Sequence, residues 1–460
     1  MGDYSINSKS QNLTSSIIPL ELSSTRNHGP IHIDYESICN WLSTGFFLGN
    51  TTILKNQFVR TALSKEEWKW HYSPRKISFE QVLDEFTNLF ESLIQNHTTE
   101  KDVILPLSGG LDSRTLAAAL RGNRNVVVVS YEFENGIQET EYARQIAAAC
   151  GWEFHAYNIP RGYLWEKLDE LADINQCQTE FTHPRQMAVI DEIAQFGDLI
   201  LSGQWGDVLF DIPGIDDKAD LDQQTRFTIK KVSKSGGMEL AVQLWEYWGL
   251  GGDFKQTYFN TIRKLLSDID IENPNSRIRA FKSLHWAPRW ANANLKVFTS
   301  RRDMFIPYYH DEMCKFICTI PEMFLANRKI QIEYIKRKAP ELARIPWQAY
   351  YLNLYSYQHF NTIYFPRRVY RYAMRTIREK IIRIPPVIQR NWELQFLGKD
   401  NKGYLEHWLF KTPELNELVP KQIIQDFYYR FKKDDPVKYS HPVSMLLTLA
   451  VWCKRFWKKV

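Results

Sequence analysis

The run Ser108-Gly109-Gly110-Leu111-Asp112-Ser113 puts two hydroxyls, two glycines and a carboxylate side by side. Val103-Ile104-Leu105 before it reads as a buried strand, and Thr115 to Leu120 after it reads as a helix stopped at Gly122. A strand, a glycine turn and a helix start together make an anion site. The glycines let backbone approach a ligand closely, and the first helical N–H groups face it with the helix dipole behind them. Asp112 is acidic where an anion is wanted, which makes sense if it holds a magnesium ion that bridges to phosphates. An ordinary glycine turn with Asp112 as a helix cap is the bland alternative, and the complete string argues against it. The Gly-Lys-Ser/Thr signature of γ-phosphate transfer is absent from it.

A second segment repeats the pattern. Asp198-Leu199-Ile200-Leu201 is an apolar strand running into Ser202-Gly203-Gln204-Trp205-Gly206-Asp207. In a parallel sheet the two turns share the carboxyl edge, where the ligand crevices of open α/β folds form. Val126 to Tyr131 supplies a strand between them in sequence, and from about 101 to 212 strands alternate with helices as such a sheet requires. Asp211 to Asp217 breaks the alternation and reads as a loop over the site. Upstream, Phe79, Val82, Leu83, Phe86, Leu89, Phe90, Leu93 and Ile94 recur at helical spacing and predict an amphipathic helix facing the core.

The first string resembles the pyrophosphate-binding loop of the N-type ATP pyrophosphatases. Taken with the second segment, the chain is most similar to the synthetase domain of asparagine synthetase. Ile33 to Gly49, Glu139 to Ala147, Pro307 to Asp311, Ala326 to Lys329 and His441 to Leu447 stand in family-like positions, so the resemblance runs from about residue 33 to the end. It implies an α/β fold with a parallel-sheet, adenine nucleotide alpha hydrolase-like domain and a mostly helical C-terminal region. The corresponding divisions are a connector or vestigial segment at 1–100, the ATP-binding core at 101–215 and a helical remainder at 216–460.

The implied reaction is adenylation: a carboxylate attacks the α-phosphate of ATP, pyrophosphate leaves, and a nitrogen nucleophile then displaces AMP. On this resemblance ATP and pyrophosphate are bound by Leu107, Ser108, Gly109, Gly110, Leu111, Asp112, Ser113, Val129, Ser202 and Gly203. Asp112 and Asp207 hold Mg2+, and Asp112, Asp207 and Gln204 form the catalytic set.

Two departures from the family pattern matter. The family glutamate after Ser-Gly is Gln204, with Trp205 in place of the flanking glycine. Glutamine hydrogen-bonds but takes no proton at neutral pH. In Ala343 to Tyr351 the family lysine after the tryptophan is missing, and Tyr350 or Tyr351 stands in that region without a fixed positive charge. Either another basic residue reaches the phosphates or catalysis is weak. The acceptor could be aspartate, but these changes point to a specialised carboxylate, such as a uronic acid in polysaccharide biosynthesis. The first cysteine is Cys39, and Ser108 comes too early for an amidotransferase domain, so a stand-alone synthetase is expected. Its nitrogen then comes from free ammonia, a partner glutaminase or an amine.

Composition accords with this. At 460 residues and 44% hydrophobic the chain can fill two packed regions, and no apolar run approaches the ~20 residues of a membrane span. No signal peptide is evident, and six cysteines without close-pair metal spacing suit a reducing cytoplasm; Cys314 and Cys318 read as small buried thiols. Arg367, Arg368, Arg371, Arg375, Arg378, Lys380 and Arg383 crowd one predicted helix, which suits a solvated face, peripheral contact with an anionic membrane at its inner face, or grip on an anionic acceptor such as a uronic-acid glycan or a nucleic acid. A net charge of +5 argues against general nucleic-acid binding. His183, His285 and His310 remain ambiguous between cap or turn roles and substrate contact. Three other readings stay open: a non-catalytic nucleotide-binding partner or scaffold, a lasso-cyclase-like peptide amide-forming enzyme, and a tRNA-modifying enzyme on the same loop.

Overall fold

The structure, a computed structural model, describes residues 21–24, 32–60, 69–359 and 388–457. The basic segment Arg367–Arg383 lies outside the described residues. At its centre is a five-stranded parallel sheet in the order β5-β4-β3-β6-β7, built from β3 (Val103–Pro106), β4 (Val126–Phe133), β5 (Glu153–Ile159), β6 (Leu199–Leu201) and β7 (Asp303–Phe305). Register is set by Leu105 opposite Val128, Ile104 opposite Ile200, and Ile200 opposite Met304. The fold is thus α/β with a largely helical C-terminal region, and β7 comes from that later region. β1 (Glu21–Ser24) and β2 (Gln57–Arg60) form a separate antiparallel pair.

From β3 the chain winds one way, to β4 and β5; β6 and β7 lie on the other side of β3. The turns after β3 and β6 therefore emerge from adjacent strands where the winding reverses, the position at which such sheets open a crevice. β3 is apolar along its first three residues because both its faces are covered, and Val103, Ile104 and Leu105 are completely buried.

α1 (Tyr35–Thr44) starts on Asp34, whose carboxylate accepts from the Ser37 N–H at 3.0 Å. α2 (Phe79–Thr98) is the predicted amphipathic helix. Ser78 and Gln81 close a capping box at its start, and Val82, Leu83, Phe86, Phe90, Leu93 and Ile94 are buried. Phe86 meets Phe210 and Tyr334, and Phe90 meets Tyr308, at ring-centroid distances of 5.1, 5.3 and 5.2 Å. This helix therefore packs directly behind the residues that shape the crevice.

α3 (Leu111–Leu120) carries Arg114, fully buried. Its guanidinium donates to the carbonyls of Ile345 at 2.7 Å and Pro346 at 2.8 Å, and more weakly to Leu342 at 3.4 Å. Burial pushes this side chain down to about 10, which still leaves it a cation at neutral pH. One residue on α3 thus ties segment 342–348 to the first turn. Arg114→Met would take this donor from the Ile345 and Pro346 carbonyls, and we expect a stability loss of about 2–4 kcal/mol in chemical denaturation. A loss under ~1 kcal/mol would show that the segment is held by other contacts.

Candidate active site

The turn after β3 opens directly into α3. Gly110 is the N-cap and supplies no side chain, so the first N–H groups of the helix have no capping oxygen. Ser108 and Ser113 brace the turn: the Ser108 N–H donates to Ser113 Oγ at 3.3 Å, and the Gly110 N–H donates to Ser108 Oγ at 3.2 Å. From β6, Ser202 and Gly203 come up beside it. A β-carbon on Gly203 would lie 3.0 Å from the Ser113 nitrogen, and one on Gly206 would lie 2.2 Å from Asp112 Oδ1. Only glycine lets the two turns close to this distance.

Between them is a cavity of about 320 Å³, lined on the phosphate side by Ser108, Gly110, Asp112, Ser113, Ser202 and Gly203. Leu107, Gln204, Trp205 and Asp207 also line it. Val129 lies elsewhere: its side chain is buried in the sheet and its carbonyl accepts from the Leu107 N–H at 2.8 Å, while Tyr131 is the residue of β4 that reaches the cavity. Leu111 is buried beneath the turn. Gly109 is covered by Gln348, whose Cβ and Oε1 stand 2.6 and 2.8 Å from where a β-carbon would be. From the Ala343–Tyr351 segment, then, the side chain laid over the first turn is the neutral Gln348; Tyr350 instead stacks edgewise on Trp347 at 4.6 Å.

A positive charge does reach the site. Arg328 Nη2 forms an ion pair with Asp112 Oδ1, and Gln331 Nε2 donates to the same oxygen at 3.0 Å. Asn327 and Arg328 take consecutive left-handed conformations, φ +57° and +60°, which non-glycine residues adopt at a cost. Their surroundings hold them there. The Asn327 N–H donates to Asp211 Oδ1 at 3.0 Å, the Asp211 carbonyl accepts from Arg279, and Arg279 is locked onto Glu322 by two 2.6 Å contacts. Tyr308 completes the setting by donating to the Asp112 carbonyl at 3.0 Å. Sequence reading placed Arg328 only in a family-like position; no local pattern announces a left-handed arginine. The 211–217 loop is drawn aside to Arg279 and Asn275, and its residues line neither cavity at the site.

Trp205 also has a left-handed backbone, φ +76°, in the place of the family glycine. Its indole is buried, donates to Ser283 Oγ at 3.2 Å and meets Trp286 and Tyr309 edgewise, contacts that offset the backbone cost. His310 caps the helix Asp311–Ile317. The cysteines are free, and most are buried.

Among the described residues no cluster of three or more histidine, cysteine or acidic side chains forms a protein-only metal site. Asp112 and Asp207 are instead a facing pair of carboxylates, since Asp207 adds to the charge felt by Asp112. Both protein donors go to Oδ1 of Asp112. A hard cation that takes its remaining ligands from phosphates and water fits this donor set, and magnesium has that habit.

These features define an α/β, PP-loop-like domain with two glycine turns at its switch point. Residues 85–288 match the asparagine synthase family. No curated protein matches the chain. Among the described residues no helix is long and apolar enough to cross a membrane.

Burial pushes the Asp112 carboxyl up to about 6, against the pull of Arg328 and with the help of Asp207. Above that pH the group is a carboxylate and can ligate a cation; below it, it is neutral. Magnesium-dependent ATP binding at sub-saturating metal is therefore expected to weaken as pH falls through about 6, measured by calorimetry. Asp112→Asn should bind weakly with no such step. Arg328→Met should move the step to higher pH, because the charge that opposes the rise is gone.

Proposed function

We propose that this protein forms amides by ATP-dependent, AMP- and pyrophosphate-forming activation of a carboxylate, with a sugar acid or similarly bulky carboxylate as acceptor. One observation carries the reading: the cavity between the two turns adjoins a second chamber of about 660 Å³, with Tyr131, Arg185, Gln204 and Phe298 lining both. A substrate in the chamber can thus present its carboxylate to the α-phosphate of ATP held by the turns. Ligand sites of roughly 300–1,000 Å³ take molecules well above aspartate in size. Trp290, Trp392 and Phe133 offer ring faces, and Arg185, Lys234 and Arg390 offer cations. That combination suits a carboxylated sugar.

In this reading the Ser108–Ser113 turn and the start of α3 receive the β- and γ-phosphates, and Ser202 and Gly203 line the α-phosphate. Asp112 and Asp207 hold magnesium, which when bound neutralises charge on the departing pyrophosphate. Arg185, half-exposed and held by Glu139 at 3.5 Å and by the faces of Tyr131 and Phe133, is placed to orient the acceptor carboxylate at the junction. Gln204 sits at the same junction as a hydrogen-bonding group. Arg328, which lines neither cavity, acts on the site through Asp112, whose carboxylate it holds charged. The Arg328–Asp112 pair and the neutral Gln348 also favour a second reading, a relative that binds ATP and does not turn it over.

Carboxylate-dependent exchange of labelled pyrophosphate into ATP separates the two. With glucuronate and galacturonate in the panel, exchange is expected in the native chain and is expected to drop at least ~100-fold in Asp112→Ala, the scale of losing a transition-state charge partner. ATP binding without exchange across a broad carboxylate panel would establish the binding-only reading.

A further inference from the structure

The floor of the larger chamber holds ionisable groups that adenylation does not use. Glu180, His183 and His441 all line it. Glu180 accepts from Thr182 Oγ1 at 3.0 Å, Thr182 Oγ1 is itself 3.4 Å from Ser444 Oγ, and among the described residues no lysine or arginine pairs with the carboxylate. His441 is fixed by a 3.0 Å contact between its Nε2 and the Leu42 carbonyl. His183 stands against Trp290 at a centroid distance of 4.1 Å, and its carbonyl accepts from the Arg185 N–H at 2.8 Å. Arg185 lines both cavities, so His183 lies one short turn of chain from the junction where an acyl group would be activated. Asn391 holds the segment from beneath through the Thr182 carbonyl at 2.9 Å.

We propose that this floor is the nucleophile subsite, that it takes an organic primary amine rather than ammonia, and that His183 is the proton acceptor with Glu180 as its positioning partner. The inference rests on the ligase reading given above. Gln204 cannot take a proton, so the base must be sought elsewhere; of the two histidines in the chamber with Glu180, His441 is held on the Leu42 carbonyl, which leaves His183 as the candidate. A carboxylate neutralised by no basic side chain favours a group that carries N–H donors.

The chemistry balances with one proton transfer. The amine enters as the free base and its nitrogen attacks the acyl carbon of the acyl-adenylate. As the C–N bond forms, the nitrogen becomes acidic and one N–H proton passes to the imidazole. The acyl C–O bond to AMP then breaks, and AMP leaves with the electron pair. Glu180 stabilises the resulting imidazolium.

Protonation states agree with these roles. Desolvation, Arg185 and Lys234 push His183 down against the pull of Glu180, although the residue itself is solvent-exposed, and the ring is able to accept a proton at pH 7. Burial raises Glu180, but His441, His183 and the hydroxyls of Ser444 and Thr182 hold it below the ordinary carboxyl range, so it stays ionised. Burial likewise lowers His441, against the pull of Glu180.

Trp290 and Trp392 give the chamber a fluorescence signal. Ethanolamine, glucosamine and lysine would be titrated against ethylene glycol, glucose and 6-hydroxynorleucine, each amine facing its hydroxyl counterpart, on the full chain with Mg·ATP present. At least one amine is expected to bind ~10-fold or more tightly than its counterpart, and Glu180→Gln is expected to abolish that preference. His183→Asn is expected to keep the preference but to lower amide formation ~100-fold or more, the usual range for a general base. Hydroxylamine, whose weakly basic nitrogen gives up its proton to water more readily after attack, is expected to lose less than ~10-fold in the same variant. No amine preference in the panel, or a preference that survives Glu180→Gln, would overturn the subsite. Equal losses with amine and hydroxylamine would overturn the proton role of His183. Failure of pyrophosphate exchange would instead strike the ligase reading and leave the amine-binding result standing.

Discussion

The closest approach in the site is between the two turns, where the Asp112 carboxylate lies against the backbone of Gly206 and the Ser113 nitrogen against Gly203. Neither contact leaves room for a β-carbon. Much else in the structure serves this approach. β3 and β6 must be neighbours, α3 must begin at once after Gly110, and Tyr308 and Gln331 must fill the space behind Asp112 without displacing it. Tyr308 in turn stands on Phe90 and Phe210, so the amphipathic face of α2 is what backs the site.

The charges follow from that geometry. A carboxylate packed this tightly loses water, and the protein compensates with Arg328 and Gln331. Arg328 is delivered by two left-handed residues whose backbone cost is met by the Arg279–Glu322 pair acting through Asp211. Strain at a functional site is thus offset by a buried ion pair outside the cavity. The same logic applies to Trp205, which takes a glycine conformation because its indole is held in an aromatic cluster. Gln204 borders both cavities, whereas Trp205 lines only the one between the turns and Gln348 lies over the first turn.

Much of the fold was legible where the chain is locally consistent. The 3.6-residue stripe of α2, the apolar runs of β3, β4 and β6, and the Ser-Gly-Gly-Leu-Asp-Ser turn each carry their own signal. What was not legible is what depends on distant partners. Asp303-Met304-Phe305 is too short to declare itself a strand, and pairs only because β6 presents an open edge. The 211–217 loop looked free to cover the site, but Asn275 and Arg279, more than fifty residues away, hold it aside. Val129 belonged to the right strand and pointed into the core, leaving Tyr131 to reach the cavity.

By itself, then, the sequence determined the two turns: glycine strings after apolar strands, a helix start and an aspartate beside each are local features. Tertiary structure decided which residues stand around those turns. Arg328, Gln348 and the Glu180–His183 floor come from separate segments, and their roles arise only when those segments pack against the two turns. A backbone turn is a local property and can be read locally; an electrostatic environment is a sum over neighbours that only folding brings together.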